Sequence, residues 1–290
     1  MSWRTIIITG SAKLDLSMGF LVVRQKEVKK IHLNEIYMIM IESTAVSITA
    51  ALLSELSKKK IKVIFCDEKR NPCSELISYY GAFDTSSKVR KQILWSDDIK
   101  KAVWTEIVSE KIKKQAEHLK SVGRSESDML YGYLKEIQFG DATNREGHAA
   151  KVYFNALFGK DFTRTEENSI NAALNYGYSI ILSMVNREIV SNGYITQLGL
   201  FHDNMFNQFN FGSDLMEPFR ILVDNLVKSE MPEKFEHEEK MMILGLVEKE
   251  VNIGGRTEFV NNAIKIYCRS IFDALNDNDV SLIKFYNCEL

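Results

Sequence analysis

The sequence lacks the features that mark secreted, disulfide-bonded or membrane-spanning proteins. Its cysteines form no C-x-x-C pair and show no zinc-ribbon spacing, so neither a disulfide framework nor a structural zinc site is indicated. The longest apolar-rich stretch, residues 37–53, contains Glu42 and several hydroxyl side chains, and is too short and too polar to cross a bilayer. No secretory signal pattern is present at the start. We therefore expect a cytoplasmic protein without a membrane partner, whose thiols are buried or semi-buried: Cys66, Cys73, Cys268 and Cys288.

A strong excess of one charge is also missing, because the net charge is only -2. This balance argues against a protein that coats nucleic acid over its whole surface. The distribution is uneven, with 15 basic and 9 acidic residues in 1–95 and 22 basic and 30 acidic residues in 96–290. Any DNA contact must then come from local patches, each of which is more often an ordinary solvated surface. The candidates are Lys58, Lys59, Lys60 and Lys62, and Lys88, Arg90 and Lys91.

The first 95 residues have the pattern of a small, mostly β domain with one crossover helix. Short β-branched or alternating runs at 5–9, 20–23 and 27–32 predict strands, and 63–66 predicts a buried strand. Apolar residues at helical spacing between Ala45 and Leu56 predict the helix, which the lysine run ends. The segment Ser86–Ser96 is interpreted as the linker.

Residues 96–290 change to a helical pattern and lack proline until Pro218. Three sets of apolar residues recur at helical spacing: Ile99, Val103 and Ile107; Leu174, Ile181 and Val185; and Val260, Ile264, Ile271 and Leu275. We predict an α+β protein with an N-terminal β-rich domain, 1–95, and a larger, all-helical catalytic domain, 96–290.

Polar groups concentrate in three segments of the helical half. The first contains Glu146 just before Gly147, and glycine inside a helix suggests that something approaches the backbone. Glu146 is a candidate metal ligand, or a first-turn acid that complements the helix dipole. The second contains His202, with Asn207 among several phenylalanines. An imidazole can ligate a metal ion and an asparagine can contact DNA, although a lone histidine is more often structural.

The third segment runs from Asp214 to Arg220. A spacing of three places Asp214 and Glu217 on one face if a single helix spans both. The same pattern resembles a capping box with Asp214 as the cap, and Pro218 can itself open a helix and leave Glu217 just outside it. These alternatives stay open from the sequence.

Taken together, the three segments favour a metal site. Two carboxylates ~4 Å apart repel by roughly 4 kcal/mol at an effective dielectric constant near ~20, so a shared pocket needs a compensating cation or protons. Mg²⁺ prefers oxygen ligands and Mn²⁺ also accepts imidazole. We expect the repulsion to raise the pKa of both glutamates in the metal-free protein, so that Glu146→Gln stabilises it.

The three segments, together with Trp3 to Thr5, Val63 to Asp67 and Tyr79 to Gly81, resemble the CRISPR-associated integrase of the adaptation module. The likeness extends over nearly the whole chain and is greatest to the subtype that accompanies a single large RNA-guided nuclease. One departure is Ile221, where many relatives have proline.

The resemblance implies a β domain that mediates dimerisation, and a helical catalytic domain. It implies that Glu146, His202 and Glu217 bind Mg²⁺ or Mn²⁺, with Asp214 as an auxiliary acid; His202 can instead be a proton acceptor. The chemistry implied is attack by the 3′-hydroxyl of a captured double-stranded fragment on phosphodiesters of CRISPR repeat DNA. Arg145, Asn207 and Arg220 are candidates for DNA contact, although either arginine can pair with a neighbouring acid.

The implied partners are a second copy of the chain, a small ferredoxin-like adaptation protein and the effector nuclease. Two other classes remain open. One is a general metal-dependent nuclease that uses water as the nucleophile. The other is a non-catalytic DNA-binding scaffold whose acids only cap helices.

Overall fold

The computed structural model describes residues 4–79 and 82–287. Trp3, Tyr80, Gly81 and Cys288, which entered the sequence interpretation, lie outside the described residues. The chain divides into two compact units. The first comprises the described residues up to Thr85 together with Val190–Gly193, and the second comprises Ser86–Ile189 and the residues from Tyr194 onward. No helix in the described part of the chain is long and apolar enough to cross a membrane.

The first unit contains two four-stranded sheets and one helix. Its elements are β1 Arg4–Ile8, β2 Ala12–Ser17, β3 Phe20–Arg24, β4 Val28–His32, β5 Ile36–Ile41, β6 Val46–Ile48, α1 Ala50–Lys58, β7 Lys62–Cys66 and β8 Pro72–Glu75. One sheet has the order β4-β3-β2-β6 and the other β1-β5-β7-β8. Every residue of β5 is buried, because β5 lies between two parallel neighbours. Leu14, Leu21, Ile39, Leu52 and Leu56 belong to the shared core.

The second unit is mainly helical. Its helices are α2 Thr85–Leu94, α3 Asp97–Ser121, α4 Ser127–Glu136, α5 Arg145–Phe158, α6 Ser169–Ser191, α7 Asn210–Leu215, α8 Arg220–Glu230, α9 His237–Leu244 and α10 Val260–Asp277. α3 is capped by Ser96, the residue before it, whose hydroxyl accepts a hydrogen bond from Ile99 N at 3.3 Å. It contacts α4, α5, α8 and α10, so α3 is the central helix of this unit.

The α+β class and the order of its halves are confirmed. Three details differ from the sequence interpretation. The segment interpreted as a linker is helical, since α2 covers most of it. The helical half also contains a three-stranded sheet of β9 Glu250–Ile253, β10 Arg256–Phe259 and β11 Tyr286–Asn287. Cys66 and Cys268 are buried as expected, but Cys73 is exposed.

Candidate active site

The first acid of the site, Glu146, lies in the first turn of α5. The carboxylate of Asp141 accepts hydrogen bonds from the backbone N–H groups of Arg145 and Glu146, at 2.7 and 3.0 Å. The side chain of Asn144 accepts from Gly147 N at 3.2 Å. A β-carbon on Gly147 would lie 2.9 Å from Asn144 Oδ1, so the glycine permits this cap. The backbone that positions Glu146 is therefore fixed by two neighbouring caps.

The second acid, Glu217, lies just outside a helix. α7 ends at Leu215, and Glu217–Phe219 form a single 3₁₀ turn before α8. Pro218 in that turn has no backbone N–H to continue the helical hydrogen bonds. This confirms the interpretation that leaves Glu217 outside the helix. The side chain of Glu217 is only 3% exposed, and its Oε1 lies 3.1 Å from Nη2 of Arg220.

The two acids meet at a lysine on α3. The Lys111 ammonium donates a hydrogen bond to Glu146 and lies 2.5 Å from Oε2 of Glu217. Burial lowers the pKa of Lys111, but the charges of Glu217 and Glu146 outweigh it and leave the pKa above its ordinary value. Lys111 is not among the site residues predicted from the sequence. Its only signal was position, because it lies one helical turn from the buried Ile107, Val108 and Gln115.

The expectation that both glutamates have raised pKa values is wrong for Glu217. Burial alone would raise the pKa of this carboxyl, but the charges of Arg220 and Lys111 outweigh burial and hold it below its ordinary value. The acids therefore do not face each other uncompensated. Glu146→Gln removes a charged partner of Lys111, and the substitution is therefore not expected to stabilise the metal-free protein.

His202 belongs to the same electrostatic site. It lies in the histidine loop, which we define as residues 194–209 before α7, and its Nδ1 lies 2.5 Å from Oδ1 of Asp214. The hydrogen bond to Asp214 raises the pKa of His202; burial opposes this, and the charges of Asp214 and Glu217 add to it. Because the carboxylate accepts from Nδ1, Nε2 is the nitrogen left for a ligand or a proton.

Asp214 holds the histidine loop. Its fully buried carboxylate accepts hydrogen bonds from the backbone N–H groups of Leu200, Phe201 and His202 at 2.5, 3.2 and 3.1 Å. A β-carbon on Gly199 would lie 2.4 Å from the His202 carbonyl oxygen and 2.7 Å from Asp214 Oδ2, so only glycine fits there. The capping-box interpretation of Asp214 is wrong, because the residue lies inside α7 and its donors come from the loop that precedes this helix.

We expect Asp214→Ala to lower both stability and activity. The substitution leaves three backbone donors and the imidazole without their acceptor, which costs about 3 kcal/mol or more of unfolding free energy, against ~1 kcal/mol for a lost helix cap. Chemical denaturation and an assay of DNA strand cleavage and joining measure the two effects. A loss near 1 kcal/mol with activity retained would contradict this role.

The DNA-contact candidates already have protein partners. Arg145 Nη2 lies 2.8 Å from Oε2 of Glu136, and Arg220 pairs with Glu217. The Asn207 amide accepts from Phe209 N at 2.9 Å and donates to Ser213 Oγ at 3.2 Å. The two arginines thus form the acid pairs that the sequence left open.

Glu146, Glu217 and Lys111 line a cavity of about 530 Å³. Further cationic side chains line the same cavity: Lys151, Lys160, Arg164 and Arg220. Tyr178 and Asp224 line its inner part, and the Tyr178 hydroxyl donates to Asp224 Oδ1. Like Lys111, these two polar residues lie on helices whose sequence pattern predicts a buried core. The cavity therefore contains five cationic side chains and three acids, which suits a phosphate bound through a bridging cation.

Asp224 gives the site a pH dependence that is separate from the two glutamates. Burial raises the pKa of Asp224 to about 6, against the opposing hydrogen bond of Tyr178 and the charge of Arg220. Because the folded pKa exceeds the unfolded value, this group stabilises the fold fully below pH ~4, and the contribution is lost as pH rises through about 6. The rise of the Asp224 pKa from 3.8 to about 6 corresponds to about 3 kcal/mol of unfolding free energy.

We expect Asp224→Asn, which keeps the shape but cannot titrate, to remove this dependence. The unfolding free energy of the wild type relative to the variant should fall between pH 4 and 6. Chemical denaturation of both proteins at pH 4, 5, 6 and 7 measures the difference. A constant difference over this range would mean that Asp224 does not titrate as described.

The donor set suits a divalent cation, although Lys111 holds the position between the acids. Among the described residues, no three His, Cys, Asp or Glu side chains are grouped closely enough to hold a metal ion. Glu146 and Glu217 nevertheless converge on one cation, and the charge of Glu217 also acts on the His202 imidazole. Two carboxylates and an imidazole are ligands that Mn²⁺ accepts. A metal ion would then replace the ammonium as the shared cation.

Comparison with known proteins shows which family the sequence resembles. The model of a family described as CRISPR associated protein Cas1 matches residues 6–245. Over 226 residues the chain is 37% identical to the CRISPR-associated endonuclease Cas1 of Neisseria meningitidis serogroup C (strain 8013), covering 77% of this chain and 74% of that protein.

Two solved structures share the fold. A casposase bound to integration product has a TM-score of 0.77 at 17% identity, over 95% of this chain and 91% of that one. A chain of a Cas6-RT-Cas1–Cas2 complex has a TM-score of 0.74 at 18% identity, over 97% of this chain and 36% of that larger chain. At such identities the likeness extends to the fold alone.

Proposed function

The chain belongs to the CRISPR-associated Cas1 family, and on that premise we propose that it is a metal-dependent DNA integrase. In this proposal it inserts captured DNA fragments into a CRISPR repeat array. The observation that carries the proposal is the convergence of Glu146 and Glu217, from separate segments, on one cation beside His202. The endonuclease name of the Neisseria relative and the integration product named with the casposase support the same reaction class.

Glu146, Glu217 and His202 would hold the metal ion, Mg²⁺ or Mn²⁺. Bound there, the ion would supply positive charge to the scissile phosphate and to the departing 3′ oxygen. Asp214 would act through His202, because its carboxylate holds the imidazole and the backbone of the histidine loop in place. Once the metal ion neutralises the two acids, the Lys111 ammonium would no longer be needed between them. It would then be available to bind the phosphate.

The reaction that fits this site is transesterification. The 3′-hydroxyl oxygen of the fragment forms a new bond to phosphorus, and the bond between that phosphorus and the target strand's 3′ oxygen breaks. The hydroxyl proton leaves during attack, and the departing oxygen gains a proton. His202 Nε2 can accept the first proton if the imidazole is not a metal ligand. A second attack on the opposite strand joins the other fragment end. No covalent protein–DNA intermediate is needed, because the incoming hydroxyl is the nucleophile in each attack.

Two joined ends require two active sites at a fixed separation. We therefore propose a homodimer, bridged by a small ferredoxin-like partner. The structural neighbour named as a complex with Cas2 supports a second adaptation protein. Cooperation with the RNA-guided effector nuclease, in choosing fragments, completes the proposal.

A strand-joining assay separates the three functions that the sequence left open. The protein is given a fragment with free 3′ ends, a plasmid that carries the repeat, and Mn²⁺. Joined product supports the integrase, nicked or linear plasmid alone supports a nuclease, and binding without either supports a scaffold. A plasmid without the repeat is the matched control, because an integrase of this kind should favour the repeat-bearing target.

Fragment binding is expected to weaken steeply with salt despite the net charge of -2. Basic side chains that contact phosphates release counterions, which gives a linear fall of log affinity with log salt. Lys62 is buried against Glu75 and leaves the predicted patch. The exposed candidates are Lys58, Lys59, Lys60, Arg90 and Lys91. Dissociation constants measured from low to moderate salt test this, and a flat dependence would mean that the patches are ordinary surface.

A further inference from the structure

The tip of the histidine loop presents bare apolar side chains to solvent. Met205 is 87% exposed and Phe206 is 84% exposed. Phe201 and Leu198 in the same loop are 48% and 40% exposed. Large apolar side chains that lie together in water usually mark a surface with a partner. The loop therefore carries an apolar tip within four residues of His202.

The exposure does not come from a loosely held backbone. Phe206 N donates to Asn204 Oδ1 at 2.9 Å, and Asn207 N donates to Asn204 O at 3.0 Å. Asn210 Nδ2 donates to Asn204 O at 3.0 Å and so ties this turn to α7. The structure thus fixes Met205 and Phe206 outward by hydrogen bonds on both sides.

The base of the loop is anchored to the central helix. The ring of Trp104 on α3 stacks on Phe201, with centroids 4.7 Å apart and an interplanar angle of 6°. The same indole meets the His202 ring edge-on at 5.8 Å. Asp214 holds the backbone of both loop residues. The apolar tip and the imidazole are consequently two parts of one rigid loop.

We propose that Phe206, with Met205 beside it, is a wedge that enters the base stack of the target DNA at the step where the strand is joined. The inference rests on the proposed function. Two side chains at the end of a narrow loop are far too small for a stable protein interface, which buries more than roughly 1,000 Å². Apolar side chains of this size do insert between base steps, where they unstack the bases and kink the duplex.

The wedge has a physical purpose in the reaction. Unstacking at one step kinks the duplex, and the bend lets more of the DNA on either side of that step contact the protein. Partial unstacking costs a few kcal/mol per step, and contact between the rings and the exposed base faces offsets it. Because hydrogen bonds tie both the tip and His202 to α7, insertion also fixes the distance between the imidazole and the opened step.

A fluorescence measurement tests the wedge without requiring joining. The parent protein is the non-joining Glu217→Gln variant, and the target carries 2-aminopurine at the joining step. Binding should raise the fluorescence of this base as it unstacks. Phe206→Ala in the same background should remove the rise, Phe206→Leu should keep part of it, and Phe259→Ala, an exposed aromatic on β10, should keep all of it.

Joining by proteins with an intact Glu217 gives the second readout. Phe206→Ala should lower joining to a fully paired target by about 10- to 100-fold, the equivalent of a few kcal/mol of unstacking. A mismatch at the step should restore most of the loss, because it removes the cost of opening.

An equal defect on both targets, normal joining by Phe206→Ala, or an unchanged fluorescence rise would overturn the wedge. A wild type that joins neither target defeats the proposed function instead, and the fluorescence result still decides the wedge.

Discussion

Glu146→Ala, His202→Ala and Glu217→Ala are each expected to abolish strand joining, with a loss of about a thousandfold or more, while fragment binding changes little. The reason is that these side chains act on charge that develops in the transition state, whereas phosphate contacts dominate affinity. The joining assay and a binding titration, run side by side on each variant, measure the two effects.

Two controls distinguish the loss of a catalytic side chain from a loss of the folded structure. Glutamine at either acid keeps the shape of the side chain and should be as inactive as alanine. Glu136→Ala removes a half-exposed acid that pairs with Arg145, next to Glu146, and should leave joining nearly normal. Normal joining by any of the three site variants would remove that residue from the site.

Lys111→Met is expected to destabilise the metal-free protein strongly and to make its stability depend on metal. The substitution leaves Glu146 and Glu217 without their shared cation, and breaking a buried ion pair costs about 3–5 kcal/mol. Mn²⁺ should bind the variant better than the wild type, because no ammonium competes, and should restore much of the lost stability. Thermal melts of both proteins over a Mn²⁺ titration measure this.

Lys114→Met is the matched control for that experiment. Lys114 is a buried lysine on the same helix, but it pairs with Glu110 and donates to the Tyr286 carbonyl oxygen. Its loss should also lower stability, without any rescue by Mn²⁺. Equal responses of the two variants to Mn²⁺ would mean that the metal does not take the place of the Lys111 ammonium.

The core of the helical unit could be predicted from the sequence because its apolar period is long and regular. Ile107 on α3, Leu174 on α6 and Ile264 on α10 are all buried as the spacing indicates. The β9–β11 sheet could not be predicted from the sequence, because its strands are two to four residues long and at least half of their residues face solvent. α2 was missed because its one buried residue is Gln92, which leaves no apolar face to detect.

The candidate site was predictable only in part. Glu146, His202 and Glu217 were predicted from their motifs. The structure brings the two glutamates onto one cation, and the charge of Glu217 also acts on His202. Lys111 was not identified, because a lysine in a sequence is normally assigned to the surface. The role of Asp214 stayed open because Asp-x-x-Glu spacing matches a helix cap equally well. Only tertiary structure reveals that its hydrogen-bond donors lie in the loop that precedes it.

The central claim is that Glu146, Glu217 and His202 hold one divalent ion in place of the Lys111 ammonium. Anomalous X-ray scattering at the manganese edge, from crystals grown with Mn²⁺, tests it most directly. We expect one strong anomalous peak between the two carboxylates and the His202 ring, with Lys111 Nζ withdrawn from both acids. A peak elsewhere, or no peak with Lys111 still bridging Glu146 and Glu217, would contradict it.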